Sequence, residues 1–272
     1  MEWMLTRPKD YPTNLTDEEW DQIKGLVPAP KSGKGRRGRP ALERRVLVDA
    51  IFYVVRSGCA WRLLPGDFPP WQTIYGYFRR WSQDWTWRFV HDTLRDWLRK
   101  TEGRNVAPTA AIIDSQTVKT PDQAGERGYD AGKKIKGRKR HVAVDTLGLV
   151  LGIMVTGAAT QDRDAAKGLI GSLVKVFGRL QVIWADGGYL GSLVQWVKQL
   201  RPFGRLHLEI VRRCDQVKGF KVLPKRWVVE RTFGWFSKSR RLRTDYEVRL
   251  DHSEAMLRLC MIRLMVSRLA RA

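Results

Sequence analysis

The chain has 272 residues, 43% hydrophobic and 29% charged, enough to bury the core of one large domain or two modest ones. Its 50 Lys or Arg against 28 Asp or Glu leave a formal charge of +22, and the isoelectric point lies near 10.4. Such an excess repels itself unless a polyanion neutralises it, so nucleic acid is the expected partner, with no small-molecule substrate.

No apolar run reaches the roughly 20 residues of a membrane span. The basic clusters are mixed with strand, turn and aromatic signals rather than set on one cationic amphipathic helix, so no membrane partner is expected. The start, MEWMLTRPKD, lacks a signal peptide's apolar stretch, and no export is expected. Three cysteines (Cys59, Cys214, Cys260) and four histidines (His91, His141, His207, His252) are scattered without paired spacing. That argues against a disulfide framework or zinc cluster and for a reducing cytoplasm. Any metal would be a hard cation on oxygen ligands, Mg²⁺ or Mn²⁺.

Thr16, with Glu19 three residues on, is a capping-box start for a short helix that Pro28 and Pro30 stop. The Gly-rich basic stretch KSGKGRRGRP (31–40) reads equally as a solvated linker and as an arm whose Arg36, Arg37 and Arg39 contact phosphate or minor groove. From Ala41, apolar residues at helical spacing (Val46, Ala50, Ile51, Val54, Val55) run to a stop at Gly58. Beyond the break WRLLPGDFPP, two more helices are expected, at 71–81 and 85–100. Three short helices with a tight Gly/Pro turn before the second resemble a helix-turn-helix bundle. Trp61, Trp71, Trp81, Trp85, Trp87 and Trp97 are assigned to its core in preference to stacking on bases, and Gln72, Thr73, Tyr75, Arg79 and Arg80 to a DNA-facing side. The hydrophilic stretch TEGRNVAPT (101–109) is the linker, giving domains at 1–104 and 105–272.

Beyond the linker the texture becomes α/β. AAIIDSQTVK (110–119) is an apolar strand meeting a polar end, and 137–157 reads as two strands turning at Thr146, Leu147 and Gly148. An amphipathic helix at 162–180 precedes QVIWADGGYLG (181–191), a strand ending in an acid and two glycines. A helix from Ser192, a strand at 205–213, a helix from 227 to about 243 and a last helix at 253–270 follow. The order β-β-β-α-β-α-β-α is a mixed sheet flanked by helices. GKKIKGRKR (132–140) packs six basic residues, Lys133, Lys134, Lys136, Arg138, Lys139 and Arg140. Against a solvated loop, its place after the Asp114 strand favours contact with DNA backbone. Asp145 reads as a turn residue, Asp162 and Asp164 as helix-start residues in preference to orienting a neighbour of a metal site, and Asp122, Glu126 and Asp130 as a solubilising loop. Trp184 reads as core strand, and Trp227 and Trp235 as core in preference to stacking on a flipped end base.

Three acids stand where chemistry would put them. Asp114 ends or interrupts the run Ala110 to Ile113, and Asp186 ends the run Val182 to Ala185. Ligands of open α/β sheets bind at the carboxyl ends of strands. Each Asp alone reads as readily as a strand-end turn residue or helix cap. Two ionised carboxylates among apolar neighbours repel, and a divalent cation removes that cost. Gly187 and Gly188 would let backbone approach a metal or phosphate. At about 100° per residue, Val229, Phe233 and Phe236 form an apolar stripe. Glu230 then shares the neighbouring face with Gly234, Ser237 and Arg241, one turn after Arg226. It is a lone acid among seven Lys or Arg between Lys225 and Arg243. Its bland reading is a helical ion pair with Arg226.

IIDSQTVK, GRKRHVAVDTLGLVL, ADGGY and above all RWVVERTFGWFSKSRRLRTDYE resemble bacterial insertion-sequence transposases of the DDE, RNase H-like type, specifically the insertion sequence five family. LTDEEWDQIKGLVP and WRLLPGDFPPWQTIYGYFRRW resemble that family's N-terminal domain. The resemblance implies an RNase H-like catalytic domain behind a small helical DNA-binding domain. It implies a metal-binding catalytic triad of Asp114, Asp186 and Glu230, spaced 72 and 44 residues apart. It further implies two Mg²⁺ ions, for which Mn²⁺ substitutes, cleavage at the element's ends, and attack of the freed 3′-OH on target DNA. The partners implied are double-stranded terminal inverted repeats, target DNA and a second copy of the chain. The setting implied is the bacterial cytoplasm, on the nucleoid. Arg226 matches the family's Arg four residues before the Glu. Its Tyr and Lys positions hold Leu223 and Ser237 here, leaving Ser237, Lys238 or Arg241 beside the cut phosphate, with Arg240 in the same basic run. The rival readings are an RNase H-like nuclease without strand transfer and a non-catalytic DNA-binding protein.

Overall fold

Residues 10–29, 42–122, 125–200, 206–211 and 224–272 are described by a computed structural model; Arg36, Arg37 and Arg39 lie outside them. They fall into two compact units. One runs up to Thr101 and takes in Lys238–Leu242 and Ala255–Ala272; the other comprises Glu102–Ser237 and Arg243–Glu254. A single cut between 104 and 105 does not separate them, because the chain returns to the first unit twice after Ser237.

In the first unit, helix α1 (Asp17–Ile23) starts at Thr16. The Thr16 hydroxyl accepts from the Glu19 N–H, and the Glu19 carboxylate accepts from the Thr16 N–H, the reciprocal cap that the sequence predicts. Helix α2 (Arg44–Ser57) stops at Gly58, whose φ of +76° is the left-handed conformation that favours glycine. Helices α3 (Trp71–Gln83) and α4 (Thr86–Thr101) bury Ile74, Phe78, Trp87, Val90, Leu94 and Leu98, with Trp81 and Trp87 edge to face at 5.2 Å. Trp81 and Trp87 are core as expected, but Trp85 is 62% exposed and Trp97 39% exposed. Trp85 precedes α4 and Trp97 falls outside that helix's inward stripe.

The second unit carries strands β1 (Ala110–Lys119), β2 (Gly128–Asp130), β3 (Ile135–Val144) and β4 (Val150–Gly157). Helix α5 (Asp162–Val176), strand β5 (Val182–Ala185), helix α6 (Ser192–Gln199), strand β6 (His207–Ile210) and helix α7 (Pro224–Ser237) follow. Helix α8 (Leu250–Leu269) begins in this unit. β1, β5 and β6 are parallel, β3 pairs antiparallel with β1, and β2 and β4 pair antiparallel with β3. One sheet face buries Ala111, Ile113, Ile183 and Ala185 against Leu169, Ile170 and Leu173 of α5 and Leu193 and Val197 of α6. The mixed α/β class is as expected. β2 was not foreseen, since three residues are too short for any period to show. The α7 helix ends at Ser237, so Arg241 does not continue Glu230's helical face and instead lies in a one-turn 3₁₀ helix, Arg240–Leu242.

Gly137 is dictated by the β1–β3 pairing, because a Cβ there would stand 1.9 Å from the Val118 carbonyl oxygen. Gly137→Ala should force the strands apart and cost at least about 2 kcal/mol, read as a lowered urea midpoint; an unchanged midpoint would contradict the register.

Candidate active site

β1 and β5 run with a constant offset of 72 residues, Ala110 beside Val182, Ala111 beside Ile183 and Ile112 beside Trp184. Carried two residues further, that offset sets Asp114 abreast of Asp186, just past the end of β5 at Ala185. Side chains alternate along a strand. With Ala111, Ile113, Ile183 and Ala185 on the core face, Asp114 and Asp186 share the other one. α7 packs against β1, β3 and β5, burying Val229 and Phe236. Asp114 does not end its strand: β1 continues to Lys119, with Asp114 opposite Val142 of β3. The site opens there because β5 has stopped, while β1 has not.

Burial first, and then the Asp186 charge, push the Asp114 carboxyl up to about 6. The Ser115 N–H (2.7 Å) and the more distant charges of Arg226 and Lys133 oppose that rise. Asp186 accepts through Oδ1 from the Gly188 N–H at 2.8 Å, so it caps the turn after β5 as the bland reading supposed. Its Oδ2 lies 3.9 Å from Nη2 of Arg226, and Glu230 Oε1 lies 3.5 Å from the same nitrogen. One guanidinium therefore stands between two carboxylates contributed by different elements. The helical Arg226–Glu230 pair exists, and Asp186 is its third member.

Among the described residues, no group of three Asp, Glu, His or Cys converges to hold a metal ion. The donor set nonetheless suits a hard divalent cation. It offers carboxylate oxygens only, and two of its members are near enough for one charge to raise the other's pKa. Arg226 supplies counter-charge to Asp186 and Glu230.

A polar layer lies on the opposite face of β1. Tyr189 is buried, its hydroxyl hydrogen-bonds Ser115, and its pKa is raised by burial and then by Asp114, Asp162 and Asp186. Asp130 accepts from Thr117 Oγ1 at 2.7 Å and lies 3.6 Å from Lys139, which also donates to the Thr160 carbonyl at 2.9 Å. Asp130 is thus structural rather than merely solubilising. His141, opposite Ser115, shares a 3.0 Å hydrogen bond with Thr156, and burial drops its pKa to about 4. Since the unfolded imidazole takes a proton near pH 6.5, it binds more protons than the folded one between those values. This contribution is therefore present above about pH 6.5 and is lost as pH falls toward 4. His141→Gln should flatten that slope by about 3 kcal/mol across the interval, read from urea melts at pH 7 and pH 4.5.

The basic stretch 132–140 divides at the strand. Lys133, Lys134 and Lys136 are exposed on the β2–β3 connection and the first residues of β3. Arg138, Lys139 and Arg140 are buried, contrary to their expected contact with DNA. Arg138 donates to Glu126 O, Asp245 Oδ1, Glu247 O, Val248 O and Ser253 Oγ, which uses its whole fork. Arg140 reaches toward Gln116, at 3.4 Å. Arg241 is likewise buried, donating to the Cys59 carbonyl, whereas Lys238 and Arg240 are exposed. Gln72 and Arg79 are exposed on α3, and Thr73 is half-buried. Trp227, read as core, is 43% exposed.

Sequence reasoning missed a cluster beside Asp186. The Trp184 indole N–H and the Lys225 ammonium both donate to Glu209, at 2.7 and 2.8 Å, and Lys225 lies 4.7 Å from the Trp184 ring centre. Lys225 and then Trp184 hold the Glu209 carboxyl below its usual pKa. A single Glu in the basic stretch RLHLEIVRR was the available signal.

Residues 107–265 match the family described as "Transposase DDE domain", and residues 15–99 the one described as "Putative transposase of IS4/5 family". The "Putative transposase for insertion sequence element IS402" of Burkholderia cepacia is 32% identical over 160 residues, covering 56% of this chain and 72% of that protein. A second Burkholderia cepacia protein, "Insertion element IS402 uncharacterized 16.2 kDa protein", is 27% identical over 124 residues, covering 44% and 78%. The crystal structure of a pre-cleavage Mos1 transpososome aligns over 93% of this chain and 86% of its own at 11% identity. Its TM-score is 0.24, too slight a likeness to carry an argument. With the DDE domain spanning well over half the chain and two aspartates abreast where β5 stops, the protein belongs to the DDE transposases, enzymes that cut nucleic acid and transfer strands.

Proposed function

We propose that this chain is the transposase of an insertion sequence, binding the element's terminal inverted repeats, cutting at its ends and joining the freed 3′-OH to target DNA. The observation that carries the reading is that Asp114 stands abreast of Asp186 while one arginine, Arg226, lies between Asp186 and Glu230. Asp114, Asp186 and Glu230 are the residues that would hold two Mg²⁺ ions. Such a pair, when bound, supplies Lewis-acid stabilisation of the attacking and leaving oxygens. The rest falls to the chain's own groups. Arg226 screens Asp186 from Glu230 in the DNA-free protein and is placed to meet a phosphate. The exposed Lys133, Lys134 and Lys136 hold the backbone by charge, which fits a strongly salt-dependent affinity. Gln72, Thr73 and Arg79 on α3 are our assignment for groove contact in a helix-turn-helix mode, and a dimer is the assembly that pairs two element ends.

Asp186→Asn tests the catalytic assignment, with Mg²⁺-dependent cleavage of a terminal-repeat duplex as the readout; a variant that still cuts removes Asp186 from the site. A pre-cut end separates transposase from nuclease, since only the former joins it to a target duplex. A protein that binds the duplex and never cuts it would be the non-catalytic binder.

A further inference from the structure

Strand β6 carries one acid, Glu209, and the sheet sets it one row below the catalytic carboxylates. Glu209 pairs with Trp184 of β5, which in turn pairs with Ile112 of β1. Side chains alternate along a strand, so Trp184 and Glu209 share the face of Asp186, which lies two residues beyond Trp184. Glu209 accepts from the Trp184 indole at 2.7 Å and from the Lys225 ammonium at 2.8 Å. Lys225 also stands over the Trp184 ring, 4.7 Å from its centre. It belongs to the first turn of α7, and the next residue, Arg226, is the one between Asp186 and Glu230. That turn therefore meets the sheet twice, on β6 through Lys225 and just past the end of β5 through Arg226.

We infer that Glu209, acting through Lys225, is a positioning residue for the active site, fixing the roll of α7 and so the place of Arg226 and Glu230 opposite Asp186. The pair adds little to global stability, because its side chains are 43% and 44% exposed and solvent screens them. Its effect is geometric. Adjacent helical residues point about 100° apart, so contacts through Lys225 and Arg226 together fix the rotation of α7 about its axis. A side-chain tip about 5–6 Å from that axis moves about 2 Å when the helix rolls by about 20°. Metal–oxygen bonds tolerate deviations of only about 0.2 Å. Glu230, one turn beyond Arg226, is carried by the same roll. The consequence for metal binding rests on the catalytic reading; the clamp itself rests on the hydrogen bonds alone.

Hydrogen exchange of the metal-free full chain tests the clamp. The amides of Val228, Val229 and Glu230 close the first turn of α7. Glu209→Ala and Lys225→Ala should each speed their exchange about three- to tenfold, and no further in combination, while the urea midpoint stays level. Lys225→Arg, which keeps a charged donor, should exchange as the wild type does. On saturating terminal-repeat duplex, both alanine variants should raise the Mg²⁺ needed for half-maximal cleavage about tenfold. Both should still bind the duplex in chelator about as tightly as the wild type. Unchanged exchange overturns the proposal, and so does an unchanged Mg²⁺ requirement in variants that exchange faster. A lowered urea midpoint would make the pair a contact of the fold, and duplex affinity lost in Lys225→Ala alone would make Lys225 a DNA contact; either result overturns it. A wild type that never cuts refutes the catalytic reading instead, and the exchange result still decides the clamp.

Discussion

Asp114→Asn should reduce Mg²⁺-dependent cleavage at least about 1,000-fold and yet leave the metal-free protein as stable as before or about 1–2 kcal/mol more stable. The carboxyl is pushed from 3.8 to about 6 by burial and by Asp186, so its ionised form is strained in the fold at neutral pH. Asparagine keeps an oxygen for the Ser115 N–H and removes the charge. Because the folded pKa is raised, the folded state binds more protons between pH 4 and 6, and this group's contribution falls as pH rises through that range. The variant's advantage should therefore appear near neutral pH and vanish below about pH 4. Cleavage assays with paired thermal melts in chelator check both halves. A variant that loses several degrees would make Asp114 a structural residue, and one that still cuts would remove it from the site.

Arg138→Met is expected to be the most damaging change in the basic stretch, costing about 3–5 kcal/mol. It withdraws a fully buried guanidinium from Asp245, Ser253 and three carbonyls, and leaves Asp245 charged at 3% exposure. Adding Asp245→Asn should recover part of the loss, since the stranded charge is then gone. Lys136→Ala, two residues earlier and exposed, should leave the urea midpoint unchanged and lower the salt dependence of duplex binding by about one phosphate contact. If Arg138→Met folded normally and lost only DNA affinity, the buried placement would be refuted.

Several elements were legible because their signals are local. The Thr16–Glu19 box, the apolar spacing of α2 and its Gly58 stop, and the hairpin around Gly148 each depend on residues within a few positions of one another. Asp114 and Asp186 could be singled out because each interrupts an apolar run, and family resemblance added Glu230. Burial of charge was not legible. Lys133 and Arg138 read alike in GKKIKGRKR, and what separates them is Asp245, more than 100 residues later, which fixes one of them in the interior. Trp85 and Trp97 failed as core residues for a related reason. Hydrophobicity says that a ring gains by burial, and only the helix phase and the turn at Asp84 decide whether it is buried.

The sequence by itself determined the charge, most of the element types and the α/β class, because these rest on composition and on periods of two and 3.6 residues, and it marked Asp114 and Asp186 as breaks in apolar runs. Only the tertiary structure decided that Asp114 and Asp186 stand abreast, that Arg226 lies between Asp186 and Glu230, and which basic side chains face solvent. Those are consequences of strand register and of partners far apart in the chain. Register is set by the cooperative pairing of whole strands, and no single residue carries it.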